Sequence, residues 1–187
     1  MIQRLSRYFY QRSTGIRVLL SFLLMMLFNI LIFPAMQGRM GTFVNPLDMR
    51  FGFSAEEALA FLNLLGAEGR SVYLFVESVV DIIYPFVYTL FSVLALSFFF
   101  GHRIAENSRW RTMNILLPLL TMLADFVENG GIILMLVGFP DAVATHIGWT
   151  VIGNELKWVG AVLSLGGVFV GFVWWLVQWF GTRRTQA

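Results

Sequence analysis

The chain has 187 residues, 58% hydrophobic and only 13% charged, whereas a soluble domain carries about 25% charged residues; that balance excludes a water-soluble surface. The formal net charge of +2 comes without a basic run long enough to track a phosphate backbone, which argues against nucleic-acid binding. No cysteine is present, so disulfides, thiolate metal sites and thiol redox chemistry are excluded.

The amino-terminal arm carries Arg4, Arg7, Arg12 and Arg17. Residues 16–36 then form the first of four mostly apolar stretches of the roughly 20 residues that a hydrocarbon crossing needs. This run is too long for a secretory signal and no small-residue cleavage site follows it, so an uncleaved anchor is expected, with Asn29 and Ser21 as its polar groups at depth. In the loop 37–70, Ser54 followed by Glu57 has the spacing of a capping box. The apolar turns through Leu59, Phe61, Leu62, Leu64 and Leu65 stop at Gly66, which predicts a short helix lying in the membrane interface.

The remaining stretches are 71–100, 113–137 and 148–180. The second and fourth exceed the minimum length and must tilt or project. Arg103, Arg109 and Arg111 follow the second span, and Arg183 and Arg184 follow the fourth; with the arm they lie on one side, which the positive-inside rule makes cytoplasmic. Of the eleven acids, only Glu106 falls on that side. Trp174, Trp175 and Trp179 near the inner end of the fourth span read as an aromatic belt, and Phe98, Phe99 and Phe100 as a surface for lipid or a partner subunit. No internal repeat stands out. The expected architecture is all-α: one membrane domain, 1–187, forming a four-transmembrane-helix bundle with an interfacial helix in the first outer loop, multi-pass in a bacterial inner (plasma) membrane with both termini cytoplasmic.

The chemistry-bearing residues concentrate on two spans. Arg70, Tyr73, Glu77, Asp81, Tyr84 and Tyr88 recur at intervals of three and four residues and share one helical face. Pro85 cannot donate to the carbonyl of Asp81, leaving that oxygen free beside the Asp81 carboxylate. On the third span, Asp125, Glu128 and Asn129 share a face with Thr121 and Pro118. Antiparallel packing of these spans predicts four carboxyl groups at one level in the outer half of the bilayer. Asn154, Glu155 and Lys157, the only lysine, lie near the outer end of the fourth span, and Lys157 reaches the acids only if its helix begins well before it.

Each ionisable group inside a membrane costs about 2.5–3.5 kcal/mol on insertion scales, so such groups are normally paired or solvated. Four carboxyls against one lysine cannot all be ionised and dry: some are protonated, or a cation sits among them, or water enters. The plainer alternative is a polar network that only fixes helix register, but contacts between membrane helices are worth about 0.6–2 kcal/mol, and one pair would serve for that.

The strings LGAEGRSVY (65–73), DIIYP (81–85), DFVEN (125–129) and LKW (156–158) together resemble a family of small bacterial four-helix integral membrane proteins to which no function is attached. The resemblance covers 54–164 and implies that these groups belong together; it brings no reaction or ligand with it.

A zinc-hydrolase reading fails because His102 and His146 lie far apart in depth, while a catalytic zinc usually takes three protein ligands. No serine has a histidine and an acid around it, and Gly130-Gly131 reads as close helix packing or a kink rather than a phosphate loop. Three classes remain. In a membrane enzyme acting on a lipid or isoprenoid, Asp81, Asp125 and Glu128 would do acid–base work or, with Glu77, hold a divalent cation, while Arg70, Tyr84, Tyr88, Asn129 and Lys157 would bind the substrate. An aspartyl-protease dyad of Asp81 and Asp125 is a version of this class, but the flanking motifs of lipoprotein signal peptidases are absent. A proton- or cation-coupled carrier would use the same carboxyls, but is weakened by the lack of polar groups along the cytoplasmic half of the spans. An accessory subunit would turn the polar site to a partner helix, or to a second copy of the chain.

Overall fold

The structure, a computed structural model, describes residues 1–42, 44–101, 104–105 and 108–184. His102, Arg103 and Glu106 lie outside the described residues, as do the side chains of Arg109, Arg183 and Arg184. The regular secondary structure among the described residues is all helical, with α1 at Ile2–Arg12, α2 at Gly15–Leu27, α3 at Phe33–Arg39, α4 at Ala55–Phe75, α5 at Asp81–Phe100, α6 at Met113–Val137 and α7 at Ala142–Arg184. A π-helical turn, Phe28–Ile32, joins α2 to α3, and a second, Val76–Val80, joins α4 to α5. Four continuous helical stretches are long and apolar enough to cross a membrane: Gly15–Arg39, Ala55–Phe100, Trp110–Val137 and Ala142–Trp179. The chain is thus a four-helix membrane bundle.

The expected capping box is present: the Ser54 hydroxyl accepts from the Glu57 amide at 3.2 Å, and the Ser54 amide donates to Glu57 Oε2 at 2.7 Å. Gly66 breaks α4 with φ 63° and ψ −175°, a conformation open in practice only to glycine. The first part of α4 therefore folds over the bundle end. Its apolar face is buried on the protein, with Ala58, Phe61, Leu62 and Leu65 packed among Leu47, Ile132, Met135 and Val143. Leu64, on the other side, stays 60% exposed.

The most extensive helix–helix contact is between α6 and α7, and glycines stand at its tight points. A Cβ on Gly131 or Gly160 would collide with Thr150 or Thr121, and one on Gly153 would stand 2.8 Å from the Glu128 amide nitrogen. Gly131 is thus a packing residue, and α6 runs through it without a break. By contrast, α2 packs mainly on α5 and is largely exposed, with Ile16 at 71% and Leu20 at 61%.

Two apolar clusters form, one at each end. The first joins α4, the linker 40–54 and the ends of α6 and α7; the second joins Met25, Phe28, Phe91, Phe99 and Val168. Phe98, Phe99 and Phe100 belong to the second rather than to a free surface, and Trp175 packs on them, 6.4 Å from both Phe98 and Phe99. The arm is helical: Ser6 of α1 is buried against α6, its hydroxyl 2.8 Å from the Arg111 carbonyl oxygen and from Asn114 Oδ1.

Substitution tests this frame at Gly160. Overpacking a close-packed interface costs about 1–3 kcal/mol. Gly160→Leu should lower the thermal midpoint in detergent by several degrees, whereas Gly166→Leu, at a position with no neighbour within 4 Å, should leave it nearly unchanged.

Candidate functional site

Between the two apolar clusters lies a layer of buried polar side chains. Helix α7 begins at Ala142, some four turns before Lys157, so the lysine sits inside the bundle with its side chain 12% exposed. Its ammonium pairs with Glu128 Oε2, lies 3.7 Å from Asp125 Oδ1 and donates to the Asp48 carbonyl oxygen at 2.9 Å. Asn154, one turn earlier, donates to Glu128 Oε1 at 2.6 Å and to the Arg50 carbonyl at 2.9 Å, and its own oxygen accepts from the Gly52 amide at 2.7 Å. Two side chains of α7 therefore hold the linker backbone at three points. A buried ammonium and a buried carboxylate both need such partners, because each desolvated charge alone costs several kcal/mol.

On the facing side, Tyr88 donates to Asp125 Oδ2 at 2.9 Å. The carbonyl that Pro85 leaves free on Asp81 accepts from Asn129 Nδ2 at 2.8 Å, which ties α6 to the start of α5. Tyr84 faces the first span instead, where its hydroxyl accepts from Asn29 Nδ2 at 2.8 Å.

Asp48 is the residue that periodicity could not find. It sits in a short 3₁₀ turn of the linker, Leu47–Met49, anchored by Leu47, which is fully buried. Tyr73 donates to Asp48 Oδ1 at 2.8 Å, and one carboxylate oxygen from each of Asp48, Glu77 and Asp81 lies within 4.8 Å of the others. The sequence offered only one faint signal, an acid beside an apolar residue within a Pro-started turn.

The expected metal set of Glu77, Asp81, Asp125 and Glu128 thus divides in two. Asp125 and Glu128 are taken up by Lys157, while Glu77 and Asp81 group with Asp48. Glu77 is completely buried and neither of its oxygens has a hydrogen-bond partner. At the spacing of the trio, two full charges repel by about 3.5 kcal/mol at an effective dielectric of about 20, so three dry carboxylates do not coexist without a counter-charge or protons.

A cavity of about 340 Å³ opens beside this layer, within the usual range of about 300–1,000 Å³ for ligand pockets. Its wall combines the charged and polar side chains of Asp48, Asp81, Asp125, Lys157, Tyr84 and Tyr88 with apolar ones such as Met25, Phe33, Ala161 and Leu165. It occupies the gap between the first span and α7, which barely touch each other. Glu77, Glu128 and Asn129 lie behind its wall. Arg70 is not part of the site: its guanidinium donates to the Leu62 carbonyl at 2.9 Å and stacks on Phe139, 4.4 Å from the ring centre, because the break at Gly66 exposes that carbonyl. His146 pairs with Trp149 at 5.8 Å, outside the cavity.

Comparison of the chain with protein-family models, with curated proteins and with solved structures finds no match. The roles of these residues therefore rest on their geometry.

Breaking a buried ion pair by removing one partner costs about 3–5 kcal/mol, and removing both charges costs less. Lys157→Met should accordingly destabilise the detergent-solubilised protein by that amount in chemical denaturation. Lys157→Met combined with Glu128→Leu should recover at least half of it; an additive loss would mean that the pair is not the stabilising contact.

Proposed function

We propose that the cavity binds a membrane amphiphile, its polar head among Lys157, Asp81 and Asp125 and its chain along Met25, Phe33 and Leu165, in a membrane enzyme that modifies a lipid or isoprenoid. The observation that carries this reading is one cavity whose wall joins a lysine and three acids to an apolar lining, lying between a loosely packed span and α7. A soluble metabolite would not need the apolar lining, and a polar network that merely fixed register would not need the space. The arginine excess on the α1 side, read by the positive-inside rule, puts the arm in the cytoplasm and the pocket in the outward-facing half of a bacterial inner membrane.

Roles follow from access. Lys157 receives an anionic group of the head. Asp81 and Asp125 border the cavity from neighbouring helices, and Asp125, beside Lys157 and Tyr88, is the group positioned to move a proton. Glu128 and Asn129 do not touch the cavity and act as positioning residues: Glu128 fixes Lys157, and Asn129 fixes the Asp81 backbone. Tyr88 orients Asp125.

A second reading, a proton- or cation-coupled carrier, gains support from one feature. Ser92, Thr121 and Ser164 continue the polar layer along the cavity, and Ser97, Asn114 and Ser6 are buried toward the α1 end, with Asn114 donating to Ser97 at 2.7 Å. The cytoplasmic half is therefore less bare than the sequence suggested.

Two measurements divide the readings. Native mass spectrometry of purified protein should find one bound amphiphile per chain, lost in Ala161→Trp, which fills the cavity; an empty wild type sinks the amphiphile pocket. In proteoliposomes, the enzyme reading expects no proton flux above protein-free vesicles. Flux that disappears in Asp125→Asn would establish the carrier instead.

A further inference from the structure

We infer that Asp48, Glu77 and Asp81 form a binding site for a hard divalent cation, at the border of the cavity and separate from the Lys157 ion pair. Three observations meet there. One carboxylate oxygen from each residue lies within 4.8 Å of the others, so a point about 2.8 Å or less from all three exists, and a small inward shift gives the 2.3–2.6 Å of calcium–oxygen contacts. Glu77 is fully buried and both of its oxygens lack hydrogen-bond partners, although a buried carboxylate ordinarily collects donors. The neighbouring acids Asp125 and Glu128 are already answered by Lys157, Tyr88 and Asn154, which leaves this trio without a cation of its own among the described residues.

The donor set decides the class of ion. All three ligands are carboxylate oxygens, and no histidine or cysteine joins them among the described residues, which suits calcium, magnesium or manganese rather than zinc or copper. The three come from different pieces of chain: the linker turn, the π-helical turn and the first residue of α5. Around them stand supporting contacts of the kind that orient ligands: Tyr73 donates to Asp48, Lys157 holds the Asp48 backbone, and Asn129 holds the Asp81 backbone. Asp48 and Asp81 also line the cavity, so an ion between them would face an anionic head together with Lys157. The ion site goes beyond the amphiphile pocket and does not depend on it.

Manganese provides the probe, because its aqueous six-line paramagnetic resonance signal falls as the ion is bound. Wild-type protein in nanodiscs of zwitterionic lipid should take up about one Mn²⁺ per chain, displaced by excess Ca²⁺. Glu77→Gln and Asp48→Asn should each weaken uptake at least tenfold, the ligand charge being reduced by one. Asp141→Asn, at an exposed acid, should leave it unchanged. Absence of uptake by wild type, or equal loss in all three variants, overturns the site. Asp48→Asn lies on the linker and keeps the test usable should Glu77→Gln fail to fold. An amphiphile in the native mass spectrum without Mn²⁺ uptake overturns the ion site alone; Mn²⁺ uptake by a protein that carries no amphiphile upholds it and counts only against the amphiphile pocket.

Discussion

The ammonium of Lys157 is the contact on which the interior depends. Its partners come from two separate pieces of chain: Glu128 and Asp125 one turn apart on α6, and the carbonyl of Asp48 in the linker. A charge in a low-dielectric layer tolerates little displacement, because the cost of losing a partner is the desolvation of everything left behind. The small residues of the α6–α7 contact make the arrangement reachable. With Gly153 against the Glu128 backbone and Gly160 against Thr121, the two helix axes approach closely enough for the lysine on one to reach the acids on the other.

The linker is then fixed from within rather than from outside. Asn154 and Lys157 hold its backbone at Arg50, Gly52 and Asp48, while Leu47 and Phe53 are buried in the apolar cluster beneath α4. This anchoring places Asp48 over Glu77 and Asp81. The same side chains that neutralise one group of acids therefore assemble another, and the polar layer has a paired half and an unpaired half.

Much of this was legible in the sequence, for identifiable reasons. Four long apolar runs and a capping box are local signals, and both became the expected helices. The Glu77–Asp81 and Asp125–Glu128 spacings placed acids on helical faces, which periodicity reports well. What periodicity cannot report is contact between a loop and a helix. Asp48 was missed for that reason, and Asn154 went without a role although its position was plain. Arg70 shared the helical face of Tyr73 and Glu77, yet the positive φ at Gly66 gave it a carbonyl to cap, and a guanidinium with a nearby acceptor and an aromatic ring has little cause to reach deeper. The hydroxyls of Ser92, Ser97 and Ser164 were invisible because serine barely alters the hydropathy of an apolar helix.

The two halves of the polar layer constrain what can enter the cavity. Asp125 comes with donors on both sides, Tyr88 on one oxygen and Lys157 near the other. Asp81 has only its backbone carbonyl held, by Asn129, and its carboxylate faces Asp48 and Glu77. A ligand with a single negative head would be drawn to the Lys157 side and repelled from the Asp81 side. An ion bound by the trio would remove that conflict and make both walls attractive to the same anionic group. On the proposed reading the acids crowded beside one lysine would serve two kinds of guest, one positive and one negative, meeting at the cavity wall shared by Asp48, Asp81 and Lys157.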